Sequence, residues 1–89
     1  MIKRNARISN KLGLHARASA KLTKLAATFG CDVHMSRNGR RINAKSIMGV
    51  MMLAAGLGTD VEIEADGADE QKALDAIVAL IDDKFGEGQ

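Results

Sequence analysis

Cys31-Asp32-Val33-His34-Met35-Ser36-Arg37-Asn38-Gly39-Arg40-Arg41-Ile42-Asn43 reads as a β-hairpin. Cys31, Val33 and Met35 alternate with Asp32, His34 and Ser36, the period of two that a half-buried strand requires. Asn38-Gly39 supplies the two positive-φ positions of a tight hairpin turn, and residues 40–43 return as the next strand. A two-residue turn joins antiparallel neighbours, so the sheet contains an antiparallel pair. Cys31 is expected to be a small core residue opening the strand. His34, on the polar face, is expected to be exposed.

Upstream, Gly30 ends a helical stretch running from residue 16 to about 28. Ala18, Leu22, Leu25 and Phe29 line one side of it, and Arg17, Lys21 and Lys24 form a basic stripe on another. Residues 9–14 are a loop. Before them Ile2, Ala6 and Ile8 face one way and Lys3, Asn5 and Arg7 the other, which is a first strand. Downstream, Ser46 is placed to cap a short helix over roughly 47–53. Gly56-Leu57-Gly58 is a turn without the spacing of a dinucleotide-binding loop. Val61, Ile63 and Ala65 alternate with Glu62, Glu64 and Asp66, predicting a strand with an acidic outer face. Asp66-Gly67 leads into a last helix, about 69–85, that buries Leu74, Ile77, Val78, Ile81 and Phe85 and leaves Asp75, Asp82 and Asp83 wet. The order is βαββαβα. It predicts an α+β fold, a two-layer open-faced sandwich with a four-stranded antiparallel sheet covered on one face by helices.

With 89 residues and 46% apolar side chains the chain is expected to form one domain, 1–89. The lone cysteine leaves no internal disulfide framework and fits a reducing cytoplasm. Met1-Ile2-Lys3-Arg4 carries no apolar signal-peptide core, and no apolar run approaches a membrane span, so neither secretion nor membrane insertion is expected. The net charge of +2 conceals a division. Residues 1–58 hold eleven Lys/Arg and the single acid Asp32, a local charge of +10; residues 59–89 hold two Lys and ten acids, a local charge of −8. A cationic patch attracts anionic ligands or acidic protein surfaces. Nucleic acid is disfavoured, because there is no Tyr or Trp on which bases could stack.

The candidate chemistry lies in Gly13-Leu14-His15-Ala16-Arg17, where loop becomes helix. A helix start offers free backbone N–H groups, here of Ala16 and Arg17, and a partial positive charge. Arg17 adds a fork of donors suited to phosphate oxygens. His15 is thus a nucleophile beside an anion site. The same five residues also fit a solvated helix cap with no chemistry.

Three separated motifs in register resemble the HPr family of histidine phosphocarriers from the bacterial phosphoenolpyruvate-dependent sugar phosphotransferase system. These are Gly13 to Arg17, the family's active-site motif; Lys45-Ser46-Ile47-Met48-Gly49-Val50-Met51, its regulatory-serine segment; and Asp69-Glu70-Gln71-Lys72-Ala73, the start of its last helix. One departure is Ala18, where the family usually has proline; alanine is also a good first-turn residue, so the helix should form. The resemblance implies that His15 and Arg17 are catalytic, with the phosphoryl group carried on the ring Nδ1. It implies Enzyme I as donor, EIIA domains as acceptors, and Ser46 as a regulatory site for an HPr kinase/phosphorylase, read in turn by a transcriptional regulator. It further implies docking through Lys21, Lys24, Ile47, Met48 and Met51. Of that short helix, Val50 and Leu53 are expected to fill the core. No cofactor or metal is expected, and the chain is expected to be monomeric. Two other readings stay open at this level: a carrier of the nitrogen-linked phosphotransfer branch, and a ligand-binding regulatory module on a related scaffold.

Overall fold

The computed structural model describes residues 1–87. Its elements are β1 (Ile2–Arg7), α1 (Ala16–Ala27), β2 (Asp32–Arg37), β3 (Arg40–Asn43), α2 (Ile47–Met52), β4 (Asp60–Asp66) and α3 (Glu70–Asp82), followed by one turn of 3-10 helix at Lys84–Gly86. The strands form one antiparallel sheet in the order β1-β4-β2-β3, so the predicted βαββαβα sandwich is the fold observed.

Register explains why one face of the sheet is apolar. Ile2 lies opposite Ala65 and Ala6 opposite Val61; on the other side of β4, Val33 meets Ala65 and Met35 meets Ile63. These pairs share a face; α3 packs on β1 and β4, and α1 joins the same core from beside α3. Val33, Met35, Val61 and Ile63 are buried there with Leu22 from α1, Val50 from α2 and Ile77 and Ile81 from α3. The other face carries charge in opposed pairs, among them Arg7 on Asp60 at 3.0 Å. Glu64 is on this face as its alternation demands, yet it is buried beneath Arg41, which donates Nε and Nη2 to its two carboxylate oxygens at 3.0 and 2.9 Å. That fork satisfies the buried charge and holds the Glu64 carboxyl below its ordinary range.

Helix α1 packs beside α2 and α3. Ala18, Ser19, Leu22 and Ala26 are its buried side, while Leu25 and Phe29 are only partly buried at its margin. The helix closes at Ala27 with Thr28 as its cap, and Ala18 occupies its first turn without disturbing it. Beyond it, Asp69 accepts hydrogen bonds from the N–H groups of Gly30 and Cys31, both at 2.9 Å, and these hold its carboxyl below the usual range. Cys31 is buried just ahead of β2, as expected.

The last helix is shorter than predicted. α3 ends at Asp82, and Phe85 reaches the core from a separate turn in which Lys84 and Phe85 both have φ of 55°. Phe85 falls on the same four-residue spacing as Ile77 and Ile81, so periodicity does not distinguish a continued helix from this turn. The left-handed backbone costs about 1–2 kcal/mol per residue. Burial of the whole Phe85 ring opposes that cost. Val78 is only partly buried, whereas Asp75 stays exposed as expected while accepting a hydrogen bond from Arg4 at 3.0 Å. The short helix α2 ends at Met52, with Leu53 its buried C-cap.

Candidate functional site

Loop 9–14 brings the chain to α1 under tight control. Gly13 has φ of +64°, and a Cβ built there would stand 2.6 Å from the carbonyl oxygen of Ala55 and 2.7 Å from Cα of Gly56. Only glycine lets the loop press so closely on residues 55–56. The Leu14 N–H donates to Ala55 O at 2.9 Å, and the Ser19 hydroxyl donates back to Leu14 O at 3.1 Å. These contacts fix His15 as the N-cap of α1.

The His15 ring is held from both nitrogens. Nδ1 accepts from the Arg17 backbone N–H at 3.3 Å, and Nε2 meets the Glu87 carboxylate. A carboxylate accepts only, so the proton sits on Nε2 and the Nδ1 lone pair points into the open turn of the helix. Glu87 is itself placed by the buried Asn10, whose amide donates to its Oε1 at 3.0 Å and to Gly13 O at 2.8 Å. The Asn10 amide first, and the His15 ring after it, hold the Glu87 carboxyl below its ordinary range. Lys21 ties down the same turn, donating Nζ to Phe85 O at 2.7 Å. Around the ring an open cleft is lined by Lys11, Leu12, Arg17, Lys21 and Glu87. The His15 side chain keeps 27% of its exposure, enough for a reagent to arrive from outside.

The structure therefore gathers His15, the Ala16 and Arg17 N–H groups, and the Arg17 side chain at one helix start. Among the described residues the Arg17 guanidinium makes no hydrogen bond, whereas the Lys21 ammonium is engaged with Phe85 rather than standing free on the basic stripe. Lys24 is exposed. Ser46 caps α2, accepting the Gly49 N–H at 3.1 Å, and Lys45 donates to Phe29 O at 2.9 Å. Ile47, Met48 and Met51 are exposed by 40, 66 and 40%. Met52, next to Met51 on α2, and Leu12 in the loop before His15 are exposed as well, which the sequence did not suggest. His34 is partly buried on the open sheet face, opposite Glu64 and Asn43 and on a strand instead of a helix start. Among the described residues no three His, Cys, Asp or Glu side chains gather to hold a metal ion, and no helix is long and apolar enough to cross a membrane.

Sequence reasoning missed Glu87 and Asn10. Glu87 is 72 residues from its histidine, and no periodicity links them. Asn10 had a weak local signal, an Asn three residues before a glycine, which is the pattern of a side chain that closes its own loop.

Against known proteins, residues 2–83 match the family model described as the PTS HPr component phosphorylation site. A curated relative, phosphocarrier protein HPr of Cupriavidus necator, is 65% identical over 89 residues, covering all of both chains. The crystal structure of an HPr from Thermoanaerobacter tengcongensis superposes with a TM-score of 0.95 at 41% identity, covering 98% of each chain. A structure of an HPr dimer from the same organism gives 0.79 at 41% identity, over 98% of this chain and all of that one. The chain belongs to the HPr family, the phosphocarriers of the phosphotransferase system.

Proposed function

We propose that His15 accepts a phosphoryl group on Nδ1 from phosphorylated Enzyme I and passes it to an EIIA domain, from within the cytoplasm and as a monomer. The observation that carries this reading is the ring's double engagement, Nε2–H on Glu87 and Nδ1 toward the Arg17 N–H. The Nδ1 lone pair attacks phosphorus as the donor's P–N bond breaks, and no proton has to leave His15. The product ring carries phosphate on Nδ1 and a proton on Nε2. It is cationic, and the Glu87 carboxylate faces that charge. The Arg17 N–H, released from Nδ1, and the guanidinium hold the phosphoryl oxygens. Keeping Nε2 protonated preserves the imidazole as a leaving group, so the phosphoryl group stays transferable.

Both partners dock, one at a time, on the surface formed by Arg17, Lys21 and Lys24 with Ile47, Met48 and Met51. An apolar centre flanked by cations suits transient contact with acidic partners, and flexible methionines adapt to more than one. Ser46 is the regulatory site, phosphorylated by an HPr kinase/phosphorylase and read by a transcriptional regulator. A phosphate there meets the start of α2 and leaves the fold intact, but it sets roughly two negative charges beside Ile47 and Met48. The same charges repel an acidic donor. Incubation with Enzyme I and phosphoenolpyruvate tests the relay: wild type should gain acid-labile phosphate and lose it to EIIA, and His15→Ala should gain none. Ser46→Asp should be charged more slowly than wild type. Equal charging of Ser46→Asp, together with a kinase that ignores Ser46, reduces that residue to a cap.

A further inference from the structure

The helix α2 has six residues and closes on an unusual support. Its last carbonyls, those of Met52, Leu53 and Ala54, lie beyond the reach of any following helical N–H. Ala54 is in the left-handed region with φ of 52°, a conformation that an alanine adopts only when its surroundings impose it. The groups that satisfy these carbonyls come from the β2–β3 hairpin. Arg37, the last residue of β2, donates Nη1 to Leu53 O at 2.8 Å and to Ala54 O at 3.1 Å. Arg40, the first residue of β3, donates Nη1 to Met52 O at 2.9 Å.

These two arginines face each other across the hairpin, the closing pair of its register. Like charges directly opposite on a sheet repel. A mixed pair would serve the hairpin better, so the hairpin alone does not account for two arginines here. The negative end of α2 does, because each guanidinium is drawn to a different carbonyl of the same helix terminus.

We propose that Arg37 and Arg40 are positioning residues for partner recognition: as a clamp on the C-terminal end of α2, they hold Met48, Met51 and Met52 in the pose a partner meets. The inference rests on the docking role given to α2 above. A helix this short has little stability of its own, and Ser46 secures only its start. Without the clamp α2 frays from Leu53 backward and the docking pose becomes a minority state. Apparent affinity falls in proportion to the fraction that remains competent, so a pose populated one-tenth of the time raises KM about tenfold. The chemistry at His15, on another element, is untouched once a complex forms.

The test uses the full chain as the phosphoryl acceptor from Enzyme I and phosphoenolpyruvate, comparing Arg37→Ala/Arg40→Ala, Arg37→Lys/Arg40→Lys and Met48→Glu with wild type. The double alanine variant should show a roughly tenfold higher KM with kcat unchanged. That rise should persist in about 1 M salt, where exposed charge attraction is screened out. Amide exchange at Leu53 and Ala54 should quicken, and the lysine pair should recover part of the KM. A KM unchanged in the alanine pair while Met48→Glu raises it overturns the clamp and leaves the docking surface standing. A rise that vanishes at high salt also overturns it, since the arginines then act only as attracting charge. An unchanged KM for Met48→Glu removes the docking surface and the clamp's role with it. If the double variant does not fold, the exposed single Arg40→Ala carries the same measurements.

Discussion

Replacing Gly13 by alanine places a methyl group where the structure has backbone. The new Cβ would meet Ala55 O at 2.6 Å and Gly56 Cα at 2.7 Å, and neither atom is the end of a side chain that can swing away. Alanine also has to accept φ of +64°. The left-handed conformation costs about 1–2 kcal/mol, and forced overpacking about 1–3 kcal/mol, a loss of roughly 2–5 kcal/mol in all. With a urea slope near 1 kcal/mol per molar for a chain of this size, the unfolding midpoint should drop by about 2 M or more. Two other glycines separate the contributions. Gly39→Ala, with φ of +81° and nothing within 4 Å of the added carbon, should lose only the conformational part, about 1 M. Gly30→Ala, with no contact within 4 Å and no positive φ, should lie within about 0.5 M of wild type. Because the Leu14 N–H bond to Ala55 O is part of what aims His15, Gly13→Ala should also be charged more slowly by Enzyme I. A Gly13→Ala midpoint equal to that of Gly39→Ala would refute the close approach of the two loops.

Phe85→Ala empties a fully buried site and should destabilise the fold by about 3–5 kcal/mol, read by urea unfolding; a loss below about 1 kcal/mol would mean that the last turn does not carry core packing. Asp69→Asn tests a carboxyl held below its ordinary value of 3.8 by backbone donors. A depressed folded value means that its contribution is complete above that pH and fades as pH falls through the folded value, so the stability gap between wild type and variant should be constant near neutrality and close below about pH 4; a gap unchanged in acid would contradict it. Lys24→Glu should slow charging by Enzyme I at low salt and approach wild type at high salt, whereas identical rates at low salt would speak against a basic docking face.

The fold was legible because local signals agreed with one another. The Asn38-Gly39 turn, the alternation around Val33 and Ile63 and the Ser46 cap each decide one element, and their order leaves a single arrangement of layers. The burial of Phe85 was legible but the end of α3 was not, because a turn can place a residue on the same stripe as a helix would. The geometry at His15 was legible for the opposite reason: the helix start beside it is local, built from the next two residues. Glu87 and Asn10 were not, since their positions depend on how the end of α3 returns to loop 9–14. Lys21 looked like a free docking cation in sequence, yet it donates to the Phe85 carbonyl, which only the folded chain brings near.

The proposed transfer puts the phosphoryl group on Nδ1 of His15 and on no other atom. Charging the protein with Enzyme I and phosphoenolpyruvate after isotopic labelling of histidine nitrogens allows the bonded nitrogen to be identified by its coupling to phosphorus. Coupling should appear at His15 Nδ1, with a proton retained on Nε2 and His34 unaltered. Phosphorus bonded to Nε2, phosphorus on His34, or phosphate retained by His15→Ala would contradict the proposed transfer.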